Sequence, residues 1–220
     1  MVTNDTYLSV YKQLHKYNIN YIIVPTLQYT EEAKQYWQNK STTIFNTASK
    51  LNLFNQTDLD KLVYLDADSF FLTSPDELFN YPDGAMYDGQ DDMYGFSGLF
   101  TCIPANHPYE YYYHIMQNFP CVDGDLLGKL WFPFITNPDY RIPFEWFINI
   151  VGLNDQVDFS TIKGIHFCNK FKPWKYTNTQ QYLKDVHEQF PQDNQKNQEQ
   201  VVEKYITQYV IPLNQALDNE

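Results

Sequence analysis

Along residues 6–17 the apolar positions Leu8, Tyr11 and Leu14 recur at three-residue spacing, which predicts a helix. A compact apolar run, Tyr21-Ile22-Ile23-Val24, follows between Asn20 and Pro25 and predicts a strand. Thr30-Glu31-Glu32 opens a second helix that runs through Trp37, because a hydroxyl followed by acids suits the unpaired amides of a helix start. Ile44 to Phe54 carries another helix. Lys61-Leu62-Val63-Tyr64-Leu65 is nearly all apolar and so predicts a strand covered on both faces, as in a parallel sheet. Alternation of such strands with helices argues an α/β layered domain.

Beyond Asp68 the pattern shortens. Ser74-Pro75-Asp76 predicts a helical turn, Tyr81-Pro82-Asp83-Gly84 a break, and Ala85–Tyr87 and Gly98–Ile103 strands. His107 to Asn118 predicts a tyrosine-rich helix whose Tyr109, Tyr111, Tyr112 and Tyr113 are read as packing residues with wet hydroxyls. Glu145–Val151 and Gly164–Phe167 are short apolar stretches, and Val201–Leu217 a closing helix. Residues 191–198 are polar and low in complexity, as in an exposed loop.

Composition narrows the class. The chain has 220 residues, 43% of them hydrophobic, with 19 Tyr, 16 Phe and 4 Trp, which excludes disorder for most of it. Fifteen Lys plus Arg against 27 Asp plus Glu give a formal charge of −12, which repels a phosphate backbone, so no nucleic-acid partner is expected. Cys102, Cys121 and Cys168 lack paired metal-ligand spacing and read as buried thiols in a reducing compartment. Neither a basic-then-apolar leader nor a transmembrane segment is visible, and a cytoplasmic location is expected.

The strongest chemical feature is Leu65-Asp66-Ala67-Asp68 at the end of the apolar run. In extended chain residues 66 and 68 project to one side, and ligands of open α/β sheets bind beyond the carboxyl ends of strands, so the two carboxylates can hold a divalent cation. About a hundred residues downstream comes Gly164-Ile165-His166-Phe167-Cys168-Asn169-Lys170-Phe171-Lys172-Pro173-Trp174. Here His166 can complete an oxygen-dominated metal site, Lys172 can neutralise phosphate charge, and Trp174 can fix the loop by packing. Read singly, the acids suit a solvated turn and the histidine a satisfied core position; together they point to a site.

With these segments the chain resembles the family 8 retaining glycosyltransferases, the glycogenin-like group. Val2-Thr3-Asn4-Asp5-Thr6-Tyr7, Ser49-Lys50-Leu51, Tyr64-Leu65-Asp66-Ala67-Asp68, and His166-Phe167 through Lys172-Pro173-Trp174 match in order, and Tyr205–Leu213 is similar to that group's C-terminal helix. The resemblance implies one GT-A, Rossmann-like α/β domain over residues 1–220, with a mixed central sheet flanked by helices. Residues 1–95 would form the nucleotide-binding half, 96–180 the acceptor and metal half, and 181–220 a polar loop and closing helix. It implies a UDP-sugar donor, with Thr3, Asn4 and Tyr7 on the uridine. It implies Mn²⁺, or Mg²⁺, held by Asp66, Asp68 and His166, with Lys172 on the diphosphate and Lys50 beside the donor. Asp88 would hydrogen-bond the donor sugar, next to the Ser97-Gly98 turn.

The departures from the family pattern shape these expectations. Phe96 stands where the family has an asparagine that touches the sugar, so sugar preference stays open between glucose and galactose types. Without a gap the family's central acid falls on Leu126, and with a one-residue shift on Asp125; Asp125 or Asp123 is the candidate to assist the reaction centre. Only Met1-Val2 precede Thr3, which is shorter than the family's first strand and leaves open an upstream start or a reduced nucleotide pocket. No tyrosine lies between Phe147 and Gly164, which disfavours a self-glucosylating primer. The expected function is transfer of a hexose from a UDP-sugar to an unidentified carbohydrate or protein acceptor. Two rivals remain: a nucleotide-sugar-binding remnant, and a phosphatase with an aspartate nucleophile.

Overall fold

In the computed structural model the described residues are 2–3, 12, 15–16, 18–37, 43–87, 96–118, 127, 136–149, 158, 160–167, 172–176 and 178–189. Two compact units interleave along the chain: Met1–Tyr64 with Phe79–Arg141, and Leu65–Leu78 with Ile142–Glu220.

The first unit begins with strands β1 (Val2–Thr3) and β2 (Ile23–Val24), paired in parallel. Helix α1 (Glu31–Trp37) forms where its acidic first turn predicts, and Lys34 bonds back to Glu31 at 2.8 Å. Residues Thr43–Asn55 form consecutive 3₁₀ turns in place of the expected α-helix. Side chains within that segment bind neighbouring backbone: Ser49 Oγ accepts from the Leu27 amide, and Asn52 Nδ2 donates to the Pro25 and Ser49 carbonyls. Such local bonds compete with the regular helical ladder.

Strand β3 (Leu62–Leu65) is where the apolar run predicts it, yet only Leu62 is buried and the other three are half-buried, so the strand is covered less than expected. β5 (Met86–Tyr87) and β6 (Phe96–Cys102) pair antiparallel, and with β7 (Arg141–Ile142) they give a four-stranded sheet in the order β3-β6-β5-β7. Gly84, at φ 85°, makes the turn into β5; its amide donates to the Thr101 carbonyl. Helix α2 (Tyr109–Asn118) packs Tyr112 and Met116 into a core with Leu51, Phe54, Met86 and Phe100; the Phe54 and Tyr112 rings stack at 4.4 Å. Tyr109 and Tyr113 are partly buried against that core while Tyr111 is exposed, which bears out packing as the main use of the tyrosine run.

The second unit is built on a three-stranded sheet, β4 (Ser69–Phe71), β8 (Ile148–Asn149) and β9 (Gly164–His166), in the order β4-β9-β8. β9 runs antiparallel to β4 and parallel to β8. Its start needs glycine: a Cβ on Gly164 would lie 2.2 Å from the Trp146 carbonyl oxygen. Trp146 is buried, meets Phe71 edge to face, and carries the Lys163 ammonium 4.4 Å above its ring. Helix α3 (Thr179–Gln189) is absent from the sequence expectations; it starts at Asn178, whose side chain accepts from the Gln180 and Gln181 amides, and it buries Tyr182, Leu183 and Val186. Strand directions are therefore mixed and helices accompany the sheets, the α/β class that the hydrophobic pattern predicts. Of the expected helix over 6–17 only residues 12 and 15–16 are described, and these are helical; the expected helix over 201–217 lies outside the described residues.

Candidate metal and diphosphate site

The site lies in the second unit and starts at the turn between β3 and β4. The chain breaks from strand at Asp66 and turns at Ala67-Asp68 instead of continuing extended, so the approach of the two carboxylates does not rest on the period-two geometry of a strand. The β4–β9 ladder then fixes the third member, because Ser69 is registered opposite His166 and the Phe167 amide donates to the Asp68 carbonyl at 2.9 Å. His166 ends β9, is buried, and has its ring stacked on Phe147 at 4.4 Å. Its Nε2 stands 3.2 Å from Asp68 Oδ1 and 4.0 Å from Asp66 Oδ2.

Lys172 reaches the same place from the far side of the chain. It has the extended backbone that a following proline imposes, at φ −88° and ψ 121°, and Pro173 begins a 3₁₀ turn over Pro173–Lys175. The Lys172 ammonium donates to Asp68 Oδ2 and to the Phe167 carbonyl. Burial by itself would raise the Asp68 pKa, but hydrogen bonds from His166 and Lys172 and their charge reverse the effect and hold this carboxyl well below the usual range. Asp68 is therefore an anion across the physiological pH range.

The donor set fits a divalent cation. Two carboxylates and one imidazole bring one ligand atom each to within 4.8 Å of one another. Metal–ligand bonds of about 2.0–2.2 Å require donor atoms about 3–4.3 Å apart. The separations from His166 of 3.2 and 4.0 Å fall in that range. Three protein ligands also leave coordination positions open, as an ion that must bind substrate phosphates needs.

Of the other candidates, Lys50 sits in the 3₁₀ segment of the first unit with its ammonium 5.3 Å from the centre of the Tyr64 ring. Gly98 is buried in β6 of the same unit. Thr3 ends β1 and Ser97 lies in β6, with side chains outside the described set. Asn4, Tyr7, Asp88, Asp123 and Asp125 lie outside the described residues, as do Cys121 and Cys168.

A second polar cluster lies in the first unit. Asp83 Oδ1 accepts from the Ile103 amide at 2.7 Å and meets His107 Nε2 at 2.9 Å; Oδ2 accepts from Asn106. His107 Nδ1 meets the Tyr112 hydroxyl at 2.9 Å. Burial and the neighbouring Asp83 charge push the Cys102 thiol far up. This network pins the turn before β5 to the segment that follows β6. Asp83 and His107 stand 24 residues apart with no motif spacing, and only the Pro-Asp-Gly turn chemistry marked Asp83 in advance.

No protein-family model matches the chain. Human glycogenin-1 is 28% identical over 142 residues, covering 60% of this chain and 40% of the human protein. Caenorhabditis elegans glycogenin-1 is 30% identical over 141 residues, covering 58% and 32%, and Solanum lycopersicum galactinol synthase 1 is 25% identical over 166 residues, covering 61% and 51%. The chain thus matches about two fifths or less of the length of these glycogenins. Among solved structures, the galactosyltransferase LgtC in complex with donor and acceptor sugar analogues aligns with a TM-score of 0.44 at 15% identity, over 81% of this chain and 78% of that one. Among the described residues no helix is long and apolar enough to cross a membrane. Over about three fifths of its length the chain is thus similar to glycogenins and to a galactinol synthase, in line with its resemblance to the glycogenin-like family 8 glycosyltransferases.

Proposed function

We propose that this chain is a metal-dependent, retaining hexosyltransferase that takes a sugar from a UDP-sugar donor and passes it to a carbohydrate or protein acceptor. The observation that carries the reading is the convergence of Asp66, Asp68, His166 and Lys172 on one end of the β4-β9-β8 sheet, in a chain related to glycogenins. Transfer breaks the bond between the anomeric carbon and the diphosphate, and negative charge grows on the departing UDP. Asp66, Asp68 and His166 would hold a divalent ion, which would supply a Lewis acid for that charge. Lys172 adds a point charge and hydrogen-bond donors for the diphosphate oxygens. Phe147 keeps the imidazole in plane against its own ring and so fixes the direction of Nε2. The uridine falls to Thr3, Asn4 and Tyr7, the sugar to Asp88, Ser97 and Gly98 with Lys50 beside it, and the reaction centre to Asp123 or Asp125.

The test is UDP release from UDP-glucose, UDP-galactose and their N-acetylated forms, with Mn²⁺, Mg²⁺ or chelator, by wild type and Asp68→Ala. Release from one donor that needs metal and drops by about 10²-fold or more in the variant supports the reading, since a preorganised charge-stabilising group is worth that much in rate. Metal-dependent UDP binding without turnover would make the chain a nucleotide-sugar-binding remnant instead. Phosphate release without any nucleotide would favour a phosphatase.

A further inference from the structure

Both carboxylate oxygens of Asp68 are engaged by nitrogen, Oδ1 by His166 at 3.2 Å and Oδ2 by the Lys172 ammonium. That ammonium also takes the carbonyl of Phe167, the residue after His166, and the Phe167 amide in turn bonds the Asp68 backbone. Lys172 is thus held by the two backbone segments that carry the candidate metal ligands. The pair is largely shielded, with side-chain exposures of 18% for Lys172 and 27% for Asp68, so its attraction is screened less than at an open surface. A dication between Asp66, Asp68 and His166 needs the same carboxylate, and two cations on one carboxylate repel. Lysine carries its charge on a flexible four-carbon stem, so it can leave without a backbone change.

We propose that Lys172 is the built-in counter-ion of Asp68 and competes with the divalent cation for it, so that metal and donor diphosphate enter the site as a coupled pair. This rests on the donor-site reading above. With Lys172 in place the charges of Asp66, Asp68 and Lys172 sum to −1; when the ammonium turns to a diphosphate, the carboxylates face the dication with their full −2. Coupling of this kind is reciprocal: diphosphate tightens metal binding by the factor by which metal tightens diphosphate. Metal alone therefore binds weakly, and the site loads fully only when a donor is present.

The experiment is a Mn²⁺ titration of the full chain, followed by the electron paramagnetic resonance signal of the free ion, with and without UDP. It compares wild type with Lys172→Met and Lys172→Gln, the glutamine keeping an amide donor near Asp68 and Phe167 while removing the charge. Both variants should bind Mn²⁺ alone about tenfold more tightly than wild type, and UDP should tighten Mn²⁺ binding less in them than in wild type. Mn²⁺ affinity that is unchanged or weaker in both variants overturns the competition and leaves the donor site standing. Failure of wild type and both variants to bind Mn²⁺, with or without UDP, overturns the donor site and the competition together.

Discussion

Asp68 and Asp83 are both carboxylates in hydrogen-bonded, partly buried places, and they sit there for different reasons. Asp68 faces an imidazole and an ammonium that leave a dication room to compete, whereas Asp83 is closed by the Ile103 amide, Asn106 and His107. Burial raises the pKa of Asp83, and the hydrogen bonds from His107, Asn106 and Ile103 more than offset it, so its net shift is downward. A carboxyl depressed on folding stabilises the native state above its unfolded pKa of about 3.9 and loses that contribution as pH falls toward its lower folded value. Asp83→Asn should therefore cost about 1–3 kcal/mol at pH 7, the usual scale for losing charge-assisted hydrogen bonds. In urea melts the gap to wild type should close as pH is lowered from about 5 to below 3. A gap that stays constant over that range would mean that the Asp83 charge does not stabilise the fold. At this scale the Asp66, Asp68, His166 and Lys172 assembly was legible because the residues stand in two short segments whose chemistry is complementary. The Asp83–His107 pair was not, because a contact across 24 residues leaves no periodic trace.

Elements were legible where one face or one end is marked. The acidic start of α1, the apolar β3 and the tyrosine-rich α2 form close to the expected positions. α3 escaped because only Tyr182, Leu183 and Val186 interrupt a polar stretch, although their spacing is helical and Asn178 caps it. The 3₁₀ character of Thr43–Asn55 was hidden because it depends on the Ser49 and Asn52 side-chain bonds to residues 25–27. The register that sets His166 beside the aspartates depends on β9 lying flush against the 144–146 turn, and Gly164 permits it. Gly164→Ala would set a methyl 2.2 Å from the Trp146 carbonyl oxygen, closer than any backbone tolerates. The expected cost is about 1–3 kcal/mol, the scale for overpacking at a tight site. It should be read in a denaturant melt beside Mn²⁺ affinity, which falls with it if β9 carries the metal ligand. An alanine variant as stable as wild type would show that β9 does not approach that turn so closely.

For the molecule as a whole, the formal charge of −12 says little about whether the proposed site takes an anion, because local cations decide it. The division into two interleaved units was not legible either: Leu65–Leu78 joins residues beyond 141, and sequence order gives no sign of such a return. A ligand that binds only the folded chain raises its stability by about 2.7 kcal/mol at a hundred times its dissociation constant. Mn²⁺ with UDP at that level should lift the thermal midpoint by about 5–10 °C. Chelator or Asp68→Ala should remove the shift, and an equal shift in the presence of chelator would place UDP binding elsewhere.

The most direct test is anomalous diffraction at the manganese edge from crystals grown with Mn²⁺ and UDP. The expected result is a peak within about 2.2 Å of Asp66, Asp68 and His166 Nε2, with Lys172 turned from Asp68 to the diphosphate. A peak at the Asp83, Cys102 and His107 cluster instead, or none beside His166, would contradict it.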